Sequence, residues 1–539
     1  MSTTFFLTWF LTIPLFSLAA PSPSGYFINC GSKTDIQQDG ITFSRDEGYA
    51  LAGNLITLNR TDILSVLTTL RYFPYGPGKH CYQFPVTKGR KLLIRTTYFY
   101  GGFDGGIDPP IFDQIIDGTN WSIVNTTEDY RNGLSSYYEI IVIANGKTIS
   151  VCLASNEHTK APSSPFISSL ELMNLDPSLY NSTDFDKYGL ITVARSNFAS
   201  DGDFVRFPDD RFNRYWQPFV DGNPTVEAHS NVTTLGFWNQ PPAKIFFTGS
   251  TTSRGKNLTL QWPPFSLPSN LYYVALYFQD SRSTSPYSWR VFTISIDGET
   301  FYQDLNVTTK GVTVYGTEWP LSGDTEVTLT PRSDMPVGPL INAGEIYQIL
   351  PLSGTTLARD AIALQRLKES LRNPPDDWNG DPCLPKEHPW FGIRCSQGNQ
   401  VRVISLNLTG LSLRGTLPKE IARLTALKEL RLSMNKLSGP IPDLSPLKGL
   451  EILHLDKNEF EGPFPDLQGA FPNLRELPSP LAEAASRGQH SLDGVGKWNT
   501  ISSLTLTRLV STAYLYVALI RQRNEIWMTG DDCLPREEL

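Results

Sequence analysis

At 539 residues the chain is too long for one hydrophobic core, and at roughly 100–200 residues per domain two to four units are expected. A composition of 40% hydrophobic and 19% charged residues is that of a globular protein. The net charge of -8, the pI of about 5.4 and the lack of a basic stripe exclude nucleic acid as a partner.

The chain opens with MSTTFFLTWFLTIPLFSLAAPSPSG. An apolar block from Phe5 to Leu18 is followed by small residues, so residues 1–20 are expected to be a secretory signal peptide. Eight Asn-x-Ser/Thr acceptors support export: Asn59, Asn120, Asn125, Asn181, Asn231, Asn257, Asn306 and Asn407. In an oxidising compartment the six cysteines are free to pair.

Residues 25–352 read as strands. KLLIRTTYFY, YYEIIVIA, YYVALYF and VFTISID are β-branched and aromatic, and turn residues separate them. The region is duplicated. KLLIRTTYFYGGFDG…FDQIIDGTNW resembles LYYVALYFQDSRS…FTISIDGETF, and each copy carries a Tyr-Phe strand end and a later Asp-Gly turn. Two β-sandwich or jelly-roll domains, 25–180 and 187–352, are expected in tandem.

Residues 353–395 begin with a helix whose face carries Ala361, Leu364, Leu367 and Leu371, capped by Thr355 or Thr356 and ended by Pro374-Pro375. Next comes DDWNGDPCLPKEHPWFGIRC, in which Cys383 and Cys395 are open to three readings: metal site, redox pair or structural clasp. Residues 401–477 repeat. Leu408, Leu432 and Leu455 are spaced 24 and 23 residues apart, and Asn435 and Asn458 recur at equivalent places. This is a short leucine-rich α/β solenoid, with a fourth repeat begun by Leu474 and Leu477. Residues 478–539 drop the pattern and are read as an atypical, disordered tail. Its apolar run from Leu509 to Ile520 is shorter than the about 20 residues of a membrane span, so membrane association stays open.

Asn29-Cys30-Gly31, His80-Cys81-Tyr82, Tyr98-Phe99, RFPDDR at 206–211 with Arg214 and Trp216, the Trp378-to-Cys395 stretch and the repeats together resemble the plant malectin-like, leucine-rich-repeat receptor proteins. After Leu477 there is no Gly-rich loop, Val-Ala-x-Lys strand or His-Arg-Asp loop, so the chain looks more like the kinase-lacking receptor-like proteins, or a truncated form of one. It implies a mainly β protein that recognises cell-wall, glycan or peptide ligands and partner receptors at the cell surface. The alternatives are a structural or decoy ectodomain without glycan affinity and, third, a carbohydrate-active enzyme. The RFPDDR motif is expected at the junction of the two β-domains, where Asn213 replaces an Asp frequent in the family.

The lectin relatives of this family hold sugar with aromatic residues and an Asp on loops. That resemblance nominates Tyr98, Tyr100, Phe103 and Asp104 in the first copy and Tyr277, Phe278 and Asp280 in the second, although alternate strand aromatics are more often core. On the concave face of the repeats, Arg431, His454 and Asp456 are candidates for contact with a receptor kinase or co-receptor. No enzyme activity, catalytic residue, metal or cofactor is expected. Cysteine partners for zinc and a Cys-x-x-Cys spacing are both missing around Cys383, which leaves a disulfide to Cys395. Closing that ring contributes roughly 3 kcal/mol and would lay Trp378 and Trp390 over the open end of the repeats. Among the remaining cysteines, Cys30 is expected to pair with Cys81, with Cys152 left in a strand.

Overall fold

The computed structural model describes residues 23–50, 52–228, 232–281, 289–398, 400–462 and 471–477. The signal peptide, Asn231 and the tail lie outside the described residues.

Among the described residues twenty-five strands lie in the first 351 positions, and sixteen of them carry the architecture. In chain order, eight are β1 (Gly25–Asn29), β2 (Lys79–Pro85), β3 (Lys91–Tyr98), β4 (Phe112–Ile116), β5 (Thr119–Val124), β6 (Ser136–Ile143), β7 (Thr148–Ser155) and β8 (Ser169–Asn174). Eight more follow: β9 (Tyr188–Phe198), β10 (Leu258–Gln261), β11 (Leu267–Phe278), β12 (Arg290–Ile296), β13 (Glu299–Val307), β14 (Val312–Gly323), β15 (Glu326–Pro331) and β16 (Ala343–Pro351). The hydrogen-bonded order β1-β8-β3-β6 of the first half is repeated as β9-β16-β11-β14 in the second. The smaller sheet β2-β7-β4-β5 is likewise repeated as β10-β15-β12-β13. Strands β6 and β9 pair antiparallel through Ile140–Ile191 and Ile141–Leu190, which fuses the two larger sheets across a seam.

Each half has its own apolar core between a larger and a smaller sheet. Leu93, Tyr98, Ile140 and Leu170 belong to the first core, Trp262, Val274, Phe292 and Leu329 to the second. Central strands are buried on both faces, and in β3 every residue but Thr97 is buried, Lys91 and Arg95 included. Asp117-Gly118 and Asp297-Gly298 close two-residue hairpins between β4 and β5 and between β12 and β13. Both Asp residues adopt positive φ, 50° and 53°, as such turns require.

The cysteine pairing departs from expectation. Cys81 on β2 faces Cys152 on β7 in the strand register, and these two are bonded. Cys30 is buried and free, because it follows β1 in the other sheet. Pairing is thus set by which residues lie opposite one another, not by chain order.

The helix runs Ala358–Ser370 and buries Ala363, Leu364 and Leu367; Ala361 is only partly covered. Neither Thr caps it. Leu357 holds the N-cap position, while Thr356 is drawn away to Asp381, its amide donating to Oδ2 at 2.7 Å. Beyond it lie β17 (Ile393–Cys395), β18 (Val403–Asn407), β19 (Arg414–Thr416), β20 (Glu429–Arg431), β21 (Lys436–Pro440), β22 (Ile452–His454) and β23 (Glu459–Glu461). β18, β20 and β22 form one parallel sheet and β19, β21 and β23 a second. The expected α/β alternation is therefore absent from the described repeats. A 3₁₀ turn at Lys419–Arg423 and extended chain stand in for helices, since Gly and Pro recur in each repeat. Asn435 Nδ2 donates to the carbonyls of Leu408 (2.7 Å) and Leu432 (3.0 Å), and its Oδ1 accepts from the amides of Leu411 and Leu413. Asn458 does the same one coil later, donating to Leu432 and Leu455. Buried backbone groups are thereby satisfied where the coil bends.

Candidate functional site

Five neighbouring strands each carry one charge at the same level of the fused sheet. Register places Glu171 on β8 opposite Arg95 on β3, Arg95 opposite Glu139 on β6, and Arg195 on β9 opposite Glu345 on β16. Arg195 Nη1 donates to Glu139 Oε2 at 2.7 Å and its Nε to Glu345 Oε1 at 2.9 Å, so the alternation continues across the seam. All five side chains are almost wholly buried. Charges at this depth persist only when paired and hydrogen-bonded. Burial works against ionisation of Glu139, but Arg195 and Arg95 overcome it and hold the carboxyl below its usual range. Glu345 is held down in the same way by Arg195 and Arg214, with hydrogen bonds from Tyr277 and Tyr347.

The RFPDDR segment and its sequel lie against this row. Arg214 Nε and Trp216 Nε1 both donate to Asp210 Oδ2 at 2.8 Å. Arg95 Nη2 donates to the carbonyl of Asn213, and Asn213 Nδ2 donates to Glu171 Oε2 at 3.0 Å. Asn213 thus supplies an amide donor to a buried carboxylate, which an Asp at this position could not do. The ring of Tyr215 lies 3.3 Å from the Arg95 guanidinium carbon.

Above the row opens a cleft of about 880 Å³. Glu139, Glu171 and Arg195 reach its floor, and Phe204, Tyr137 and Tyr215 wall it. Phe204 is 42% exposed and meets the ring of Tyr215 edge-on, with centroids 5.9 Å apart. Volume, aromatic walls and a few convergent charges are the attributes of a ligand site.

Of the residues nominated from sequence, Tyr98, Tyr100, Tyr277, Phe278 and Asp280 are enclosed in the fold and line no open surface. Tyr98 OH and Tyr277 OH donate inward to Gln114 and Glu345, and Asp280 pairs with Arg290 at 2.9 Å. Phe103 is half-buried against Tyr72, Tyr100 and Phe166, and exposed Asp104 accepts from Tyr100 OH. The seven sequons within the described residues all carry an exposed Asn.

On the repeats, Arg431, His454 and Asp456 share the face of β20 and β22 and are half-buried. Arg431 lies 3.6 Å and His454 3.5 Å from Glu476, and Asp456 accepts from Ser433 Oγ. Cys383 and Cys395 are bonded. Trp378 and Trp390 stack with centroids 5.1 Å apart and belong to the same apolar core as the repeat leucines.

The charged row escaped the sequence reading. Its signal was a charge inside each of five largely buried strands: Arg95 in KLLIRTTY, which also begins with Lys91, Glu139 in SYYEIIVI, Glu171 in SLELMN, Arg195 in YGLITVARSNF and Glu345 in AGEIYQILP. Among the described residues no cluster suits a metal ion, and no helix is long and apolar enough to cross a membrane.

The family model of the malectin-like domain matches residues 28–349. A probable LRR receptor-like protein kinase of Arabidopsis thaliana is 32% identical over 433 residues, covering 76% of this chain and 48% of that protein. The Arabidopsis thaliana probable LRR receptor-like serine/threonine-protein kinase PAM74 is 31% identical over 408 residues, with coverages of 72% and 44%. The chain thus spans about half the length of the curated relatives it matches. In fold it is similar to the Arabidopsis thaliana ANXUR1 extracellular domain, at 17% identity and a TM-score of 0.50 over 60% of this chain and 97% of that one. It is similar at 19% identity and 0.50, over 61% and 96%, to a chain in the crystal structure of the plant peptide RALF23 in complex with FER and LLG2.

Proposed function

This chain belongs to the malectin-like domain family, and from that premise we propose that it is a receptor-like recognition protein of the cell surface or extracellular space, without enzyme activity of its own. The seam cleft carries the proposal. It lies where two halves of repeated strand order meet, and its floor carries Glu139, Glu171 and Arg195 from a row of five buried charges that cost more to maintain than an apolar core would. In this reading the halves are tandem domains, 25–180 and 187–352, and the ligand bridges them. The FER complex, with its peptide and LLG2, supports the idea that a fold of this kind takes a ligand and a second protein together.

The helix and disulfide loop at 353–395 act as a cap on repeats 401–477, which offer Arg431, His454 and Asp456 to a receptor kinase or co-receptor. Three repeats make a small face, better suited to docking than to enclosing a ligand.

The test is a binding screen of the full secreted chain against cell-wall oligosaccharides and peptides. Phe204→Arg is expected to abolish binding of whatever is found, while Tyr100→Ala with Phe103→Ala leaves it intact. The reverse pattern would move the site to the 99–108 loop of the first half. Charge reversal at Arg431 and Asp456 is expected to remove the partner and spare the ligand.

A further inference from the structure

The row of charges is one cation short. Three carboxylates alternate with two arginines, and the strand beyond Glu171 offers Phe27 opposite it, which brings no charge. Glu139 fills both oxygens, with Arg95 on Oε1 and Arg195 on Oε2. Glu345 also fills both, with Arg195, Tyr180 and Tyr347 on Oε1 and Tyr277 on Oε2. Glu171 Oε2 accepts from Arg95 Nη1 and Asn213 Nδ2, each at 3.0 Å, whereas Oε1 accepts no hydrogen bond among the described residues. Yet Glu171 is only 2% exposed and lines the cleft floor. The nearby Arg206 is spent on Asp39 at 2.7 Å.

We propose that the cleft binds an organic cation carrying N–H donors, an ammonium or guanidinium group that seats on Glu171 Oε1 and completes the row. The inference rests on the cleft being the ligand site. A charge-assisted hydrogen bond to a buried carboxylate is among the strongest a ligand can make. The cleft lining favours the same sign, with six acidic side chains against three basic ones. Burial pushes the Glu171 carboxyl up, and its ion pair with Arg95 and the field of Arg206 only partly offset that rise. A neutral sugar hydroxyl could donate to Oε1 but would leave the surplus charge uncompensated. The cation could belong to a Lys or Arg side chain of a peptide or to a polyamine, and the chemistry at Glu171 is shared.

The test uses calorimetric titration of the full secreted chain with acetyl-Gly-Arg-Gly amide, with spermidine and with cellotriose. At least one cation is expected to bind, and which one binds tells peptide from polyamine. Glu171→Gln is expected to weaken it at least tenfold. Asp203→Asn, an exposed change on the lining with no bearing on the core, is expected to weaken it several-fold. Melting curves of both variants separate loss of binding from loss of fold. Full affinity in folded Glu171→Gln, or no binding of either cation at millimolar concentration, would overturn the assignment. Cellotriose binding that is sensitive to Phe204→Arg would also overturn it while leaving the cleft as the ligand site. Ligand binding indifferent to Phe204→Arg would instead remove the cleft itself.

Discussion

His388 Nε2 lies 2.9 Å from Asp113 Oδ2, so the loop closed by Cys383 and Cys395 is tied to strand β4, 275 positions earlier in the chain. Buried Lys79 on β2 donates to the carbonyls of Leu384 (2.9 Å) and His388. Gly380 lies so close to the Cys81–Cys152 bond that a Cβ there would stand 3.0 and 3.1 Å from the two sulfurs. These contacts dock the start of the repeat region on the smaller sheet of the first half. Lys79→Met would leave two buried carbonyls without a donor, at a cost of about 1–3 kcal/mol each. Hydrogen exchange of the described amides between 376 and 395 is expected to quicken in this variant, with strands β9 to β16 unchanged. Equal quickening in both places would mean that Lys79 serves the whole fold and not the joint.

Asp117, in the turn of the first half that adjoins this joint, makes stability fall as pH rises. Burial pushes its carboxyl up to about 6, against the hydrogen bonds it receives from Ser150, and Asp381 adds to the rise. Between the unfolded value of about 3.9 and the folded value, the folded protein holds more proton than the unfolded one. The contribution to stability is therefore fully present below pH 4 and is lost as pH rises through 6. Asp117→Asn keeps the acceptor and suits the positive φ of 50°. It is expected to raise stability at pH 7 by about 1–3 kcal/mol, with the gain vanishing near pH 4. Melting temperatures across pH 4–7 decide it; a gain independent of pH would count against burial as the cause.

The bond between Cys383 and Cys395 spans 12 residues and closes a ring that carries Trp390, stacked on Trp378 just before it. Trp378 Nε1 donates to the carbonyl of Phe391 and Trp390 Nε1 to that of Asn379, so two hydrogen bonds also tie the ring to the segment before it. Replacing both cysteines by Ser is expected to cost about 2–4 kcal/mol. The loss should fall on residues 358–462, which share one apolar core with the indoles. Proteolysis of the double variant at sub-denaturing urea is expected to cut there before it cuts the β halves.

Much of this architecture was legible in local signals. Strands announced themselves by β-branched and aromatic runs, and the Asp-Gly turns marked equivalent hairpins in both halves. Leucine spacing exposed the parallel strands of the repeats. What stayed hidden depends on register between distant strands. Cys81 meets Cys152 only because β2 and β7 pair where they do. Tyr98 and Tyr277 end apolar strands in either reading, and nothing local tells a core aromatic from one at a ligand. The charge row is the extreme case: each of its residues looks like an isolated exception until five strands are laid side by side.

Arg195 is the member of that row on which the others depend most, since it alone pairs with a carboxylate from each half, Glu139 on β6 and Glu345 on β16. Arg195→Met would leave both acids buried with less counter-charge. Breaking a buried pair by removing one partner costs about 3–5 kcal/mol. Glu345 keeps three tyrosine hydroxyls and Glu139 keeps Arg95, so the stranded charge is softened but not cancelled. Adding Glu345→Gln should then recover part of the loss, because one of the two uncompensated charges disappears. Urea titration of the wild type, both single variants and the double closes the thermodynamic cycle, and a coupling of about 1–3 kcal/mol is expected for groups in direct contact. Additive single effects would mean that Arg195 acts through packing alone. Arg195→Lys separates the two further: it keeps the charge but cannot reach Glu139, Glu345 and Tyr347 at once as the planar fork does. Its stability is expected to fall between the wild type and Arg195→Met.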